Sequence, residues 1–317
     1  MDGDRRLAVR AVRALLGAAL VMVLLAPTAL AVNIGAAGDI ADRPGGNRNH
    51  VATANLLGAN AVSLVLTLGD NQYPCGELEF FQNSYHLSWG RYRSITRPAP
   101  GNHEYLNNPD LCVDPQPNAE GYYTYFEGRT PPHPGYYSFD YQGWHFVVLN
   151  TTCGAVPGGC GGAMLTWLKA DLAANRDNRC TVVYGHHPYQ SSAFPYYGTP
   201  ELKAIWPTLV AEDVDLFLAG HNHGYERLAP MRTGGVPDSD WGPGDGDDGN
   251  AGVPIVVAGT GGRSLYSVTR VHPQSQARLP SYGIFKLVPN YPAAGQWVQA
   301  FKTTSGGTYD RKAFRCH

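Results

Sequence analysis

The sequence predicts an α/β fold in which helices cover sheets, and three observations point there. Short apolar runs of strand length alternate with stretches whose apolar residues recur at every third or fourth position, the rhythm of strands joined by crossover helices. Five of the predicted strands end at loops that present a carboxylate, an amide or an imidazole, which is where α/β sheets carry ligand-binding groups. Hydrophobic residues make up 43% of the 317-residue chain and charged ones 16%, so it can build a core and is not disordered.

The first 31 residues are read apart from the fold. Arg5, Arg6, Arg10 and Arg13 precede an uncharged run over 14–31 that closes on Ala29-Leu30-Ala31, the pattern of an export signal removed before Val32. That run is near the ~18 residues of a membrane span, but Pro27 and the cleavage triplet favour removal over a retained anchor. Arg5-Arg6 also fits twin-arginine export. The remainder, 32–317, reads as one domain, because no long Pro/Ser-rich or charged linker divides it.

Residues 32–39 form a buried strand that delivers Asp39 to a loop, and 62–68 do the same for Asp70. Helices are predicted over 50–57 and 77–91. An extended segment at 97–100 leads into Gly101-Asn102-His103-Glu104, and the Pro- and Asn-rich stretch 106–135 reads as surface loops. Residues 136–141 and 144–150, separated by Gln142-Gly143, pair as a hairpin. A helix over 164–174 and a strand over 181–184 ending at His186 follow, then a helix over 200–212 and a strand over 215–218 ending at His221. Beyond residue 224 strands are expected near 225–231, 253–259, 281–288, 296–302 and 308–314. No internal repeat is evident.

Six cysteines, all beyond residue 31, fit an oxidising compartment and disulfides; none forms a C-x-x-C pair with zinc spacing. Cys153 with Cys160 is the most defensible pair, across a Gly/Pro-rich loop, and Cys75–Cys112 and Cys180–Cys316 then follow only by elimination. Without residues 1–31, which hold four Arg and two Asp, 20 basic residues face 24 acidic ones. This mild acidity argues against a nucleic-acid binder, and no basic amphipathic segment suggests lasting membrane association after signal removal. Oligomeric state is not legible.

The five loops carry Asp39, Asp70 with Tyr73, Asn102, His186, and His221 with His223, all groups that bind hard or borderline metals. Taken singly, each has a bland reading as a turn former or a satisfied polar residue. In combination, Gly69-Asp70-Asn71-Gln72-Tyr73, Gly101-Asn102-His103-Glu104, Val183-Tyr184-Gly185-His186 and Gly220-His221-Asn222-His223 resemble successive blocks of the metallophosphoesterase superfamily. The order is kept over about residues 35–230. Residues 167–172 and Tyr225-Glu226-Arg227 are similar to secreted bacterial members. Ala41 stands where many relatives carry a metal-binding His, and Tyr73 can replace that ligand, so the chain is most similar to the purple acid phosphatase branch.

That resemblance implies a four-layer α/β sandwich, two mixed sheets face to face with helices outside. It assigns Asp39, Tyr73 and His223 to a ferric ion, and Asn102, His186 and His221 to Fe(II), Zn(II) or Mn(II), with Asp70 bridging. In an extended segment His221 and His223 would share a face and reach adjacent ions. The implied activity is extracellular hydrolysis of small phosphomonoesters by a hydroxide activated between the two ions. Phosphodiester hydrolysis on the same metals is the nearest alternative, and a non-catalytic metal- or phosphate-binding protein is the alternative of another class. His103 would protonate the leaving oxygen with Glu104 orienting it, and Asn102, His103, His187 and Arg227 would contact the phosphate.

Three features fit the resemblance less closely. Relatives often carry another His after the His186 block, whereas 189–198 hold none and offer Tyr196 and Tyr197. Asp238, Asp240, Asp245, Asp247 and Asp248 crowd a Gly-rich loop, but the spacing is poor for calcium and a solvated loop is expected. Gly259-Thr260-Gly261-Gly262 lacks the residues of a P-loop and reads as a tight turn near the site.

Overall fold

A computed structural model describes residues 32–114, 117–192, 198–238 and 252–316. The export-signal reading of 1–31, Tyr196, Tyr197, and the acidic residues from Asp240 to Asp248 lie outside them. The chain first lays down three parallel strands, β1 (Ile34–Ala37), β2 (Leu64–Leu68) and β3 (Thr96–Ala99). It then builds a second sheet from β4 (Tyr137–Tyr141), β5 (Trp144–Val148), β6 (Thr181–Tyr184), β7 (Leu216–Ala219), β8 (Tyr225–Met231), β9 (Val253–Ala258) and β10 (Ser275–Leu279). Finally β11 (Gly283–Pro289), β12 (Gln296–Thr303) and β13 (Thr308–Arg315) return to the first sheet. The strand orders are β13-β12-β11-β1-β2-β3 and β10-β8-β9-β7-β6-β5-β4, and both sheets are mixed.

Alternation along the strands makes four layers. Leu64, Leu66 and Leu68 of β2 face a core shared with Phe146, Val148, Tyr184, Leu218 and Phe301 of other strands, which places that core between the sheets. Val65 points the other way, to Leu57 of α1 (Asn49–Ala59) and Phe81 of α2 (Leu78–Asn83). On the second sheet Val183 and Phe217 turn outward to Leu168 of α4 (Ala163–Ala174) and Leu209 of α5 (Trp206–Ala211). Strands apolar on both faces read as unbroken hydrophobic runs, and each fully buried Leu or Phe contributes about 1.5–3 kcal/mol of transfer free energy.

Several predicted elements are shorter than expected, for local reasons. The helix read over 77–91 stops at Asn83 and continues as 3-10 turns at Tyr85–Leu87 and Trp89–Ile95. Ser84 and Ser88 sit at the breaks, and their hydroxyls bond the carbonyls of Asp42 and Tyr85. The helix read over 200–212 is a 3-10 turn, Pro200–Ala204, followed by α5, because Pro207 has no N–H to continue one helix. The stretch 106–135 is not all surface loop: α3 (Glu120–Tyr125) buries Tyr122 against Phe81 and Phe126. The edge strand β10 was not expected at all.

All three expected disulfides form: Cys75–Cys112, Cys153–Cys160 and Cys180–Cys316, with Cα–Cα separations of 5.6, 4.8 and 5.4 Å. No helix among the described residues is long and apolar enough to cross a membrane.

Candidate metal centre

The carboxyl ends of the parallel strands in both sheets open onto one place. Each of β1, β2, β6 and β7 is followed by a glycine and then by Asp39, Asp70, His186 or His221, while Gly101-Asn102 follows β3 one residue later. The glycines let the loops converge. A Cβ on Gly69, whose φ is +76°, would lie 2.5 Å from the Cβ of His186, and one on Gly101 would collide with the Asp70 carboxylate. Asp39, Asp70 and His221 themselves adopt φ of 59°, 47° and 69°, left-handed values that non-glycine residues hold only where surrounding structure enforces them. His221 and His223 therefore do not lie on the expected extended segment, and a sharp turn sends them to different groups.

Two clusters result, joined by one atom. Tyr73 Oη lies 2.8 Å from Asp39 Oδ1, 2.9 Å from Asp70 Oδ2 and 3.1 Å from His223 Nε2. His223 Nε2 is 3.1 Å from Asp39 Oδ1. On the other side, His186 Nε2 lies 3.2 Å from the same Asp70 Oδ2 and 3.0 Å from Asn102 Oδ1, which is 3.1 Å from His221 Nδ1. The structure thus brings together all seven residues singled out as ligands. Tyr73 takes the place open beside Ala41, whose carbonyl accepts its backbone N–H at 2.8 Å.

These donor atoms fit cations better than they fit one another. A single phenolic hydrogen cannot serve Asp39, Asp70 and His223 together. His186 Nδ1 meets the Leu68 carbonyl at 2.8 Å and His223 Nδ1 the Ser264 carbonyl at 2.7 Å, so in its neutral form each ring would turn an Nε2 lone pair on oxygen acceptors. A backbone carbonyl fixing the far nitrogen is the usual support of a metal-binding imidazole. Oxygen donors with a phenol suit a hard ion; two imidazoles and an amide suit a divalent one.

The electrostatics follow from the crowding. Burial raises the carboxyls of Asp39 and Asp70, but the imidazoles overcome it: His223 for Asp39 and His186 for Asp70 hold them below the usual range. Burial and then Asp39 and Asp70 push the Tyr73 phenol well up. Burial lowers His186, yet Asp70 carries it up to about 9. Burial and His186 bring His221 down to about 4, and burial, His186 and His221 together keep His187 neutral.

The expected neighbours fare differently. His103 donates its backbone N–H to Asp70 Oδ1 at 2.9 Å, and its Nδ1 meets the Pro74 carbonyl at 2.5 Å, which leaves Nε2 facing the cluster, 3.9 Å from Asp70 Oδ2. Glu104 does not orient it. Its buried carboxylate accepts N–H bonds from Gly101 and Asn71 at 2.7 Å and from Gln72 at 3.2 Å, tying the Asp70 and Asn102 loops together. Burial and the charge of Asp70 push Glu104 up to about 7 against those donors. His187 borders a cavity of about 350 Å³ with Thr152, Thr199 and Glu201.

Arg227 is no phosphate contact: it is buried between the sheets, its guanidinium taken up by Asp310 of β13 at 2.7 and 2.9 Å. Asp238 is likewise committed, to Arg232 and the Gly252 N–H.

Three contributors escaped the sequence reading. Thr151 Oγ1 accepts the backbone N–H groups of His186 and His187 at 2.9 and 2.8 Å and so aims both rings. Arg263, fixed by Asp42 at 2.7 Å, lies 4.8 Å over the Tyr73 ring. Tyr266 stacks on His223 at 4.0 Å. The glycine run ahead of Arg263 was the signal for the last two.

Comparison with known proteins agrees with this arrangement. The chain is 30% identical over 217 residues to Purple acid phosphatase 23 of Arabidopsis thaliana, covering 57% of this chain and 45% of that protein. The chain thus spans less than half the length of that relative. A purple acid phosphatase from yellow lupin seeds, PPD1, superposes with a TM-score of 0.65 at 18% identity, over 90% of this chain and 54% of the lupin chain. GAP50, the anchor in the inner membrane complex of Plasmodium, shares the fold with a TM-score of 0.57 at 14% identity, over 90% and 89% of the two chains. The fold alone therefore does not decide function, and the donor set carries more weight. Residues 32–225 match the model of the calcineurin-like phosphoesterases, and with its blocks closing on one cluster of donor atoms, the chain belongs to that family.

Proposed function

We propose that the protein is a secreted phosphomonoesterase with two ions at this centre, a ferric ion held by Asp39, Tyr73 and His223 and a divalent one held by Asn102, His186 and His221. The observation that carries the reading is Asp70 Oδ2, placed 2.9 Å from the phenol oxygen of one group and 3.2 Å from an imidazole nitrogen of the other. When bound, such a pair clamps a phosphate ester and lowers the pKa of water toward about 7. The chain's own part is positioning and proton supply. Asn102 and His187 line the approach, and His103, its Nδ1–H given to Pro74, presents Nε2 to protonate the departing alkoxide. We further infer that 32–317 act as one phosphoesterase domain exported by 1–31, a reading supported by three disulfides among the described residues.

Metal analysis with visible spectroscopy tests the centre: one iron and one further ion per chain, and a tyrosinate-to-iron band that disappears in Tyr73→Phe. A colourless protein with two divalent ions would remove the ferric assignment. Turnover of p-nitrophenyl phosphate well above its bis-ester is expected; the reverse order would make the enzyme a diesterase. GAP50's shared fold keeps a non-catalytic role as the contrasting outcome, read as no turnover in the fully metal-loaded chain.

A further inference from the structure

Beside His223 the fold leaves a cavity of about 280 Å³, walled by Asn222, His223, Tyr266 and Val268, with Glu226 and Arg278 also lining it. It shares His223 with the candidate metal centre. The Tyr266 ring lies on the His223 imidazole at 4.0 Å and 15°, while half of its surface remains open to solvent. One ring face is therefore held against a candidate ligand of the site, and the ring, half exposed, also lines the cavity. Val268, on the same segment, is 45% exposed and gives the cavity an apolar rim.

The polar side of the cavity is built on the edge strand. Arg278 of β10 pairs in register with Glu226 of β8. The Glu226 carboxylate is already occupied, by the Ser192 N–H at 2.7 Å and by the hydroxyls of Ser192 and Ser275. Arg278 donates one bond, to Ser275 Oγ at 2.9 Å, and among the described residues no other acceptor meets its guanidinium. A guanidinium carries five N–H donors in a fixed plane, so the rest can meet acceptors within the cavity.

Building on the phosphoesterase reading, we propose that this cavity receives the alcohol portion of the substrate, and that the alcohol it fits is a flat heteroaromatic one, as in a nucleoside monophosphate. The ring stacks on Tyr266 and its acceptor atoms meet Arg278, while the phosphate rests on the neighbouring centre. An open aromatic face, an apolar rim and planar donors are the groups that recognise a base by stacking and edge hydrogen bonds. An aliphatic alcohol such as glycerol would use none of them.

The test compares adenosine 5′-monophosphate with glycerol 3-phosphate on the metal-loaded full chain. Both are primary alkyl phosphates, so their intrinsic reactivity is matched and the ratio of kcat/KM reads the cavity. The expected preference for the nucleotide is about ten-fold or more, the scale of one stacked base. Val268→Trp, which fills the cavity, and Arg278→Gln, which removes its planar charge, should each bring that ratio down about ten-fold, mainly through KM of the nucleotide. Calorimetry with adenosine alone reads the same cavity without chemistry, and its binding should weaken in both variants. Equal kcat/KM for the two esters, a preference that survives both variants, or no adenosine binding would each overturn the proposal. Adenosine binding without turnover of either ester would uphold the cavity and overturn the phosphoesterase reading instead.

Discussion

His103 and Glu104 are neighbours in sequence with opposite surroundings. His103 keeps a ring nitrogen facing the cluster, whereas among the described residues the hydrogen-bond donors to the Glu104 carboxylate are the backbone N–H groups of Asn71, Gln72 and Gly101. His103→Gln should therefore lower kcat by about 100- to 10,000-fold while metal content and melting temperature stay near wild type. Glu104→Gln should do the converse. Losing one acceptor in a buried N–H cradle costs about 1–3 kcal/mol of stability, and the loosened loops should release metal sooner under chelation. Metal content and thermal melting of the two variants separate the roles; a stable, fully loaded Glu104→Gln with little activity would restore a catalytic part for that carboxylate. The candidate ligands were legible because each lies at or just behind a strand end, where position and chemistry coincide. Arg263, Tyr266 and Thr151 were not, since they reach the site from loops with no periodic or spacing signature, and only folding shows which side chain they meet.

Between β4, β5 and α4 sits an element-scale pH device. His145 of β5 is buried, its Nδ1 2.8 Å from Asp140 of β4 and its Nε2 2.9 Å from Asp171 of α4, which also accepts the Ser138 hydroxyl at 2.6 Å. Burial lowers its pKa, but bonds to Asp171 and Asp140 outweigh that and raise it above the ordinary 6.5. A raised folded-state value means the stabilisation is complete below pH 6.5 and is lost as pH climbs through the folded value. His145→Gln should accordingly cost on the order of 1–2 kcal/mol near pH 6, and that deficit should shrink toward pH 9. Calorimetric melts across the range check this, and a deficit that grows with pH would reverse the assignment. The strand pattern that places His145 was readable, and so were most elements. The 3-10 breaks at Ser84 and Ser88 and the buried α3 were less so, because side-chain bonding to backbone carbonyls, one distant and one local, and aromatic packing overrode local periodicity.

At the scale of the whole molecule, the face-to-face sheets are joined at several separate places. Cys180–Cys316 links the start of β6 to the end of β13, and Arg227 with Asp310 crosses from β8 to the same strand. The six-stranded sheet supplies Asp39, Asp70 and Asn102, while the other supplies His186 and His221, and the two sides meet where the His221 N–H donates to Asp39 Oδ2 at 2.8 Å and His186 Nδ1 meets the Leu68 carbonyl at 2.8 Å. Any ion held by that mixed set is a clasp across the seam, and its affinity enters the free energy that keeps the halves closed. Stripping metal with a chelator should then lower the melting temperature, by the equivalent of about 2.7 kcal/mol for an ion present at 100 times its Kd, and should speed amide exchange along the strand ends of both halves at once. Unchanged melting after complete chelation would mean that the two halves close without help from the donors between them.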